Sequence, residues 1–347
     1  LGSKECGDEA IITAAYRSIL GREPDVNGLR QYAEALRAGK DLAWLLDAFV
    51  RSDEFRAKAS TVVQAYPLVG APPLDFELEL SNEDKRTLWR HVSRVWTRLG
   101  GEDPYWSVLS AERWRKDAMT KADAIADFYA TGEQAVARVD QWLARNRVAL
   151  SADGVCSEFG CGVGRVTEWL ARRFRLVRAF DISATHLAAA RERLSGLGIR
   201  NVEWVLVRGQ EDLRHLQETA FFYSIIVLQH NPPPLIADVL DAALAGLQDD
   251  ALAFFQVPTY AKGYRFGVQA YLEGLAQQMG IEMHLLPQKA IFDAAARNWC
   301  KVLEVQPDWL VGYPDSWISN TFLMKKCETA GMPLHLDGAV RPEGSAE

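Results

Sequence analysis

Apolar positions along this chain change their period twice. From residue 11 to about 55 they recur every three or four residues: Ile11, Ile12, Ala15, Tyr16, Ile19 and Leu20, then Leu29, Tyr32, Ala33 and Leu36, then Leu42, Leu45, Leu46 and Phe49. That spacing predicts three amphipathic helices. Gly21 and Gly39 end the first two, and Pro24-Asp25 turns the chain between them. Arg22 and Glu23 are expected to fix that turn by local pairing. Ser52 is placed to cap a fourth helix with Phe55 facing inward. Pro67, Pro72 and Pro73 with an acidic run then mark residues 67–83 as a linker, because proline disfavours helix and stiffens the backbone. Helical spacing resumes over 84–150. Leu88, Val92, Val95, Trp96 and Leu99 share a face that stops at Gly100-Gly101, a helix at 121–130 ends by Gly132, and another runs to Arg147.

From residue 154 short apolar runs alternate with helical stretches. Strands are expected at 155–159, at 176–181, at 202–207, at 221–228 and at 251–257. Helices follow Gly164, Ser183 (a cap for 184–197) and Pro232. Strands separated by helices imply a parallel sheet with right-handed crossovers. Beyond it the alternation loosens into an inserted helical segment at 260–279, an extended stretch at 281–286 and a helix at 290–299. Runs at 300–305 and 319–325 alternate as an antiparallel pair. The organisation is thus an α/β domain over 84–329, preceded by a small all-α domain over 1–66 and followed by a Gly-, Pro- and charge-rich tail over 330–347.

Composition narrows the class. The 347 residues are 48% hydrophobic and 24% charged, as in ordinary globular proteins. A net charge of −7 argues against a nucleic-acid partner. The five cysteines, Cys6, Cys156, Cys161, Cys300 and Cys327, show neither metal-ligand spacing nor a disulfide framework. No metal site, no membrane span and no signal peptide is expected, and the location is read as cytoplasmic. Eleven tryptophans suit either a core or a sugar-lined cleft.

The chemistry begins at Glu158-Phe-Gly160-Cys-Gly162-Val-Gly164-Arg165, where a strand turns into a helix. Glycines permit the sharp turn and a close ligand approach, and the helix start supplies free N–H groups. A carboxylate in such a turn repels a pyrophosphate but suits a cationic ligand. S-adenosylmethionine carries both an ammonium and a sulfonium. Asp181, ending the next strand, is placed for a ribose diol or for a helix cap.

The E-x-G-x-G-x-G string followed by a strand ending in Asp resembles class I S-adenosylmethionine-dependent methyltransferases. That resemblance implies a Rossmann-like sheet of seven strands, the last antiparallel, under a helical lid, with S-adenosyl-L-methionine as cofactor. It places Glu158, Gly160, Gly162, Gly164, Arg165, Asp181 and Ile182 at the cofactor. Arg208-Gly209-Gln210-Glu211-Asp212 resembles the adenine loop, which leaves Gln210, Glu211 and Asp212 open as the contact. Tyr129 either meets the methionine end from the lid or packs against a neighbouring helix. Val227-Leu228-Gln229-His230-Asn231-Pro-Pro-Pro234 resembles the L-Q-H-x-P-P of glycan and small-molecule methyltransferases. It places Leu228 and Gln229 near the cofactor and His230 as a general base or a loop residue.

Phe255-Gln-Val-Pro-Thr-Tyr260 and Met283-His284-Leu-Leu-Pro-Gln288 resemble methyltransferases of bacterial surface-polysaccharide biosynthesis. Tyr260, Tyr264, Arg265, His284 and Trp106 are therefore candidate acceptor contacts, with core packing open for Trp106. The Leu20-Gly-Arg-Glu-Pro-Asp25 turn resembles a small helical domain of unassigned function found in polysaccharide enzymes, and also phycobilisome linker domains. That implies docking onto other polysaccharide-assembly proteins, or a structural cap. The expected activity is O-methylation of a sugar or glycan in O-antigen or capsule assembly. The alternatives are a small metabolite or a terminal phosphate as acceptor, or a non-catalytic assembly module that retains the fold.

Overall fold

The computed structural model describes residues 2–55, 74–275, 280–311 and 316–328. The chain divides into two compact units, one over the first 72 residues and one from Pro73 onward. In the first, helix α1 (Gly2–Ala15) continues through a π-helical turn, Tyr16–Leu20, and stops where Gly21 turns left-handed at φ 62°. Helices α2 (Val26–Arg37) and α3 (Leu42–Val50) start at Asp25 and Asp41, whose carboxylates accept the N–H groups of Gly28 and Trp44 at 2.9 and 2.8 Å. Ser52 Oγ accepts the Phe55 N–H at 3.1 Å, the cap expected from the sequence. Ile12, Tyr16, Leu20, Leu45 and Phe49 form the core. Arg22 and Glu23 hold the turn by local contacts, Arg22 donating to the Glu23 carbonyl at 3.0 Å and meeting Asp25 at 3.5 Å, though their side chains do not pair with each other. Arg22 reaches Glu54 at 2.7 Å, while Glu23 pairs with Arg17 at 2.6 Å.

The larger unit opens with a two-residue strand, β1 (Asp75–Phe76), which pairs in parallel with β7 (Arg265–Phe266). Leu78 and Leu80 pack on the main core, so this part of the proline-flanked stretch is folded structure and not a free linker. The stretch before it, with Pro67, Pro72 and Pro73, lies outside the described residues, as does the 330–347 tail. Helices α4 (Asn82–Glu102), α5 (Pro104–Val108) and α6 (Ala122–Asn146) follow.

The sheet is built from β2 (Val155–Phe159), β3 (Leu176–Asp181), β4 (Val202–Leu206), β5 (Thr219–Ser224), β6 (Leu247–Ala261), β8 (Cys300–Asp308) and β9 (Trp317–Lys326). Its order is β4-β3-β2-β5-β6-β9-β8. The β4-β3-β2-β5-β6 ladder is parallel, and β8 pairs antiparallel with β9. This is the seven-stranded, Rossmann-like arrangement anticipated from the alternation. The connecting helices include α7 (Thr167–Ala171), α8 (Ala184–Gly196) and α9 (Pro233–Ala245), with α10 (Val268–Gly274) and α11 (Gln288–Arg297) later. Both faces are covered, so the strands read as apolar runs, and Phe180, Phe221, Phe222, Phe254, Phe255 and Phe322 are fully buried.

Three of the departures from the sequence reading have a cause in neighbouring contacts; elsewhere bounds shift, the strand expected at 251–257 running over Leu247–Ala261. The fourth strand ends at Ser224, not Leu228. Ile226 sits at φ 61°, which breaks the ladder, and its N–H is taken by Gln256 Oε1 at 3.0 Å. Helix α4 runs through Gly100-Gly101 to Glu102, because Gly100 is a close approach to α8: a Cβ there would lie 2.6 Å from Thr185 Oγ1. Helix α6 likewise runs unbroken through Gly132, where a Cβ would lie 1.9 Å from the Arg165 carbonyl oxygen. These glycines mark contacts with neighbouring elements, not helix ends.

Gly132→Ala therefore overpacks a backbone contact directly beneath the glycine turn. The expected loss is about 1–3 kcal/mol of stability, read as a lowered thermal midpoint. An unchanged midpoint would contradict the close approach.

Candidate active site

The turn after β2 lies where a parallel sheet binds ligands, beyond the carboxyl ends of its strands. Gly160, Gly162 and Gly164 all have positive φ, 79°, 54° and 82°, a region that side chains strain to adopt. Added bulk at Gly160 would meet Val227 at 2.3 Å and at Gly162 would meet Val108 at 2.6 Å. The loop is fixed from the next strand. Asp181 Oδ2 accepts the Gly162 N–H at 2.7 Å, and Asp181 Oδ1 accepts the Ser183 N–H at 2.8 Å. Ser183 Oγ in turn accepts the His186 N–H at 3.3 Å, so Ser183 caps α8 and Asp181 supports the cap.

The cleft above this loop is walled by Glu158, Gly160, Gly162, Arg165, Asp181 and Ile182 on the sheet side. Helices α4 and α5 contribute Trp89, Val92, Trp96, Ser107 and Val108 from the other side, and Ile225, Ile226, Val227, His230 and Asn231 close the end. His186 Nε2 lies 2.9 Å from Ser107 Oγ, tying α5 to the neighbourhood of Asp181.

Glu158 is buried, and its Oε2 has no hydrogen-bond partner. Burial pushes its carboxyl up to about 8, against the opposing pull of Thr167 and Arg165. An acid so desolvated is neutral until a cation arrives to pair with it. Arg165 also buries an unpartnered Nε, while its Nη1 donates to Thr131 Oγ1 at 3.2 Å. Burial lowers the Arg165 pKa below its ordinary value. The cleft also contains an unpartnered donor, the indole N–H of Trp89. Among the described residues no group of His, Cys, Asp or Glu has metal-binding geometry, and no helix is long and apolar enough to cross a membrane.

His230 sits at the cleft's end on a 3₁₀ turn, Leu228–His230. Its Nδ1 is 2.8 Å from the Glu282 carbonyl oxygen, so Nδ1 carries the proton and donates. The lone pair is then on Nε2, which lies 3.4 Å from the Gln229 amide nitrogen. Burial pushes the His230 pKa down to about 4, with the Glu282 carbonyl opposing and His284 adding to the depression. The ring is thus a neutral acceptor at ordinary pH.

Residues 157–250 match a family model described as "Methyltransferase domain", and residues 2–59 match "Domain of unknown function (DUF4214)". This chain carries a class I S-adenosylmethionine-dependent methyltransferase domain. The chain is 30% identical over 104 residues to a tRNA/tmRNA (uracil-C(5))-methyltransferase of a Nitratiruptor species, covering 30% of this chain and 29% of that protein. It therefore spans under a third of that relative's length. Among solved structures, magnesium protoporphyrin IX methyltransferase from Synechocystis PCC 6803 with bound S-adenosylhomocysteine is similar at 16% identity and a TM-score of 0.45, covering 68% of this chain and 99% of that one. The N-methyltransferase NodS from Bradyrhizobium japonicum WM9 is similar at 11% identity and 0.39, covering 65% and 100%.

The methyltransferase cleft brings together Glu158, Gly160, Gly162, Arg165, Asp181, Ile182 and His230 of the residues expected from the sequence. Several others lie elsewhere. Gly164 packs on Ala190 and Leu194 of α8. Leu228 points into the core, and Gln229 is buried, accepting from Gln256 Nε2 at 2.8 Å. Tyr129 donates to the Val163 carbonyl at 3.0 Å and lies under Arg193, bracing the loop from outside the cleft. Gln210 and Glu211 are exposed, while Asp212 turns back to accept the Arg208 N–H at 2.8 Å. Tyr264 bonds His284 Nδ1 at 2.8 Å, Arg265 is exposed, Tyr260 is half-buried on β6, and Trp106 lies under Arg115. None of these lines the cleft. Its aromatic lining comes instead from Trp89, Trp96, Phe159 and Tyr223. The spacing of Trp89 and Trp96 about Val92, all on one helical face, is the signal that points to them.

The Glu158 carboxyl sets a pH dependence. In the free protein it stays protonated from its ordinary value of 4.5 up to about 8, so its contribution to stability falls as pH rises through that window. An ammonium ligand needs the carboxylate, so binding below pH 8 releases a proton and tightens as pH rises. S-adenosylhomocysteine affinity, measured by calorimetry, should rise by up to about tenfold per pH unit between 6 and 7.5, where the ligand's amine is still charged. Glu158→Gln should weaken binding and flatten that slope. A variant that keeps the slope would remove Glu158 from this role.

Proposed function

We propose that this chain transfers a methyl group to a hydroxyl oxygen of a sugar or glycan in bacterial surface-polysaccharide assembly. The carrying observation is His230: a neutral imidazole lining the cleft, with its tautomer fixed by the Glu282 carbonyl so that Nε2 is left as the acceptor. The residues present fit the cofactor. Glu158 Oε2 is an unpartnered buried acceptor for an ammonium, and Asp181 holds the loop while retaining lone pairs for ribose hydroxyls. S-adenosylmethionine, when bound, supplies an electrophilic methyl on sulfur.

The chain's own part is alignment and proton handling. An acceptor hydroxyl donating to His230 Nε2 is oriented with an oxygen lone pair towards the cleft. Held in line there, it gains most of its acceleration from proximity. As the new C–O bond forms, that oxygen becomes acidic and its proton passes to Nε2. A pKa near 4 suits late transfer of this kind, since the ring is empty before reaction and gives the proton up readily afterwards. A carboxylate or phosphate acceptor would have no proton to give, and an orienting base would be of no use to it.

The glycan class is supported by the Leu228-Gln-His230, Phe255–Tyr260 and Met283–Gln288 strings and by the companion helical domain. That domain is read as a docking module for other assembly proteins.

Labelled S-adenosylmethionine offered with a panel of bacterial glycans, nucleotide sugars, small metabolites and transfer RNA tests the class. Label in a glycan or sugar ether is expected, and label confined to another acceptor overturns the reading. His230→Ala should lower kcat by about 10²–10⁴-fold with little change in cofactor affinity. The wild type should show no kcat inflection near pH 6.5, because its imidazole is neutral above about pH 4. Unchanged turnover in the variant would exclude the assignment.

A further inference from the structure

Helix α4 has three working faces, and the third has no part in the chemistry so far. Trp89, Val92 and Trp96 face the cleft, and His91 faces Glu282. Arg90, Arg94 and Arg98, with Ser93 and Thr97, wall a separate groove whose floor is Ile182, Leu206 and Val207. Arg208, from the loop after β4, stands on another wall of that groove. No acidic side chain lines it among the described residues.

Four residues of helix rise about 6 Å, so these arginines stand one turn apart in a column. Like charges at this spacing repel, at about 0.2–0.5 kcal/mol per pair, and helix surfaces usually relieve the cost with interleaved acids. Here only Arg98 has an acidic partner close by, Glu102 at 3.7 Å. Arg90 donates to the Arg86 carbonyl and to Thr87 Oγ1, and Arg94 donates to His91 Nδ1 at 3.3 Å. Neither these two nor Arg208 has a carboxylate partner among the described residues. Three exposed arginines from two elements thus line one groove in a chain whose net charge is −7.

We infer that this groove binds a phosphate-bearing ligand, best a diphosphate, and that it holds the anionic handle of the methyl acceptor. Charge count favours phosphate over carboxylate. One carboxylate would leave two of the three cations uncompensated, whereas each phosphoryl group carries about −1.5 to −2 and three acceptor oxygens. Planar guanidinium groups engage such oxygens in pairs. The Ser93 and Thr97 side chains and the apolar floor suit the sugar or chain attached to the phosphate. Ile182 lines both groove and cleft, so a ligand anchored by its phosphates lies at the cleft's edge. Assigning the anion to the acceptor rests on the proposed methyl transfer; anion binding in the groove does not.

The test is a calorimetric titration of the full chain with inorganic pyrophosphate, with S-adenosylhomocysteine saturating so that the cleft cannot account for the signal. Binding should weaken with added salt. It should fall at least tenfold in the Arg90→Gln/Arg94→Gln double variant, with thermal midpoint and S-adenosylhomocysteine affinity unchanged. Uridine diphosphate and a short polyprenyl diphosphate distinguish the nucleotide-linked from the lipid-linked source, and tighter binding of either identifies it. No pyrophosphate binding at millimolar concentration overturns the inference. So does equal binding by the double variant, or preferential binding of an oligouridylate by the same arginines. Loss of label transfer without loss of pyrophosphate binding would count against the methyl-transfer reading alone.

Discussion

One carboxylate ties the site together. Asp181 ends β3, and its two oxygens accept from Gly162 in the glycine turn and from Ser183 at the start of α8. Both bonds are buried and one partner is charged, so each is worth more than a neutral surface hydrogen bond. The consequence is mechanical. The turn after β2 cannot shift without dragging the next strand and helix, so the loop's positive-φ glycines are held open in advance of any ligand. A loop that had to order on binding would give up affinity to conformational entropy. Tyr129 and Gly132 serve the same end from outside, one bonding the Val163 carbonyl and the other letting α6 lie directly on the Arg165 backbone.

That rigidity makes the buried electrostatics usable. Glu158 stands beneath the turn with one oxygen unpartnered, and Arg165 buries an unpartnered nitrogen in the same neighbourhood. In a deformable site such groups would turn toward each other or toward water. Here their positions are set by the strand and the loop, and the cost of burial appears as a raised acid and a lowered guanidinium. A cationic ligand paired with Glu158 would offset the acid's share of that cost, which is how a static arrangement can select charge.

The fold and the cofactor loop were legible because they rest on backbone requirements. Alternating period, glycines at a turn and an acid ending a strand are visible in residue order. What was not legible rests on side-chain direction and on contacts distant in sequence. Leu228 and Gln229 follow an apolar run that looks like strand, but Ile226 in the left-handed region rotates the chain, so Leu228 enters the core and His230 takes the place at the cleft. Gln210 and Glu211, two of the candidates for an adenine contact, are exposed. Gly100 and Gly132 read as helix stops because local propensity says so, whereas their cause is a neighbour far along the chain, Thr185 for one and Arg165 for the other, that leaves no room for a Cβ. Trp89 shares its helical face with Val92 and Trp96, but a tryptophan on such a face is ordinarily core, and its orphaned N–H in the cleft shows only in the structure.

The histidine shows how far such support extends. His230 is oriented by a backbone carbonyl, so its tautomer depends on where residue 282 lies and not on which side chain residue 282 carries. Yet the Glu282 side chain fixes that position. Its carboxylate accepts from Tyr271 at 2.5 Å and lies within hydrogen-bonding reach of His284 at 2.9 Å and His91 at 3.4 Å. Although burial works to raise it, these partners hold the Glu282 carboxyl down at about 2. A carboxylate this strongly held remains charged throughout the range in which proteins are folded, so the anchor does not titrate when the surrounding pH changes. Tyr264, bonded to the far nitrogen of His284, extends the anchor to the segment between β6 and β7. Tyr264 and His284, expected to touch an acceptor, are not among the residues lining the cleft and are bonded in a chain to Glu282 instead. They support the segment that carries one carbonyl oxygen, and that oxygen decides which ring nitrogen of His230 carries the lone pair.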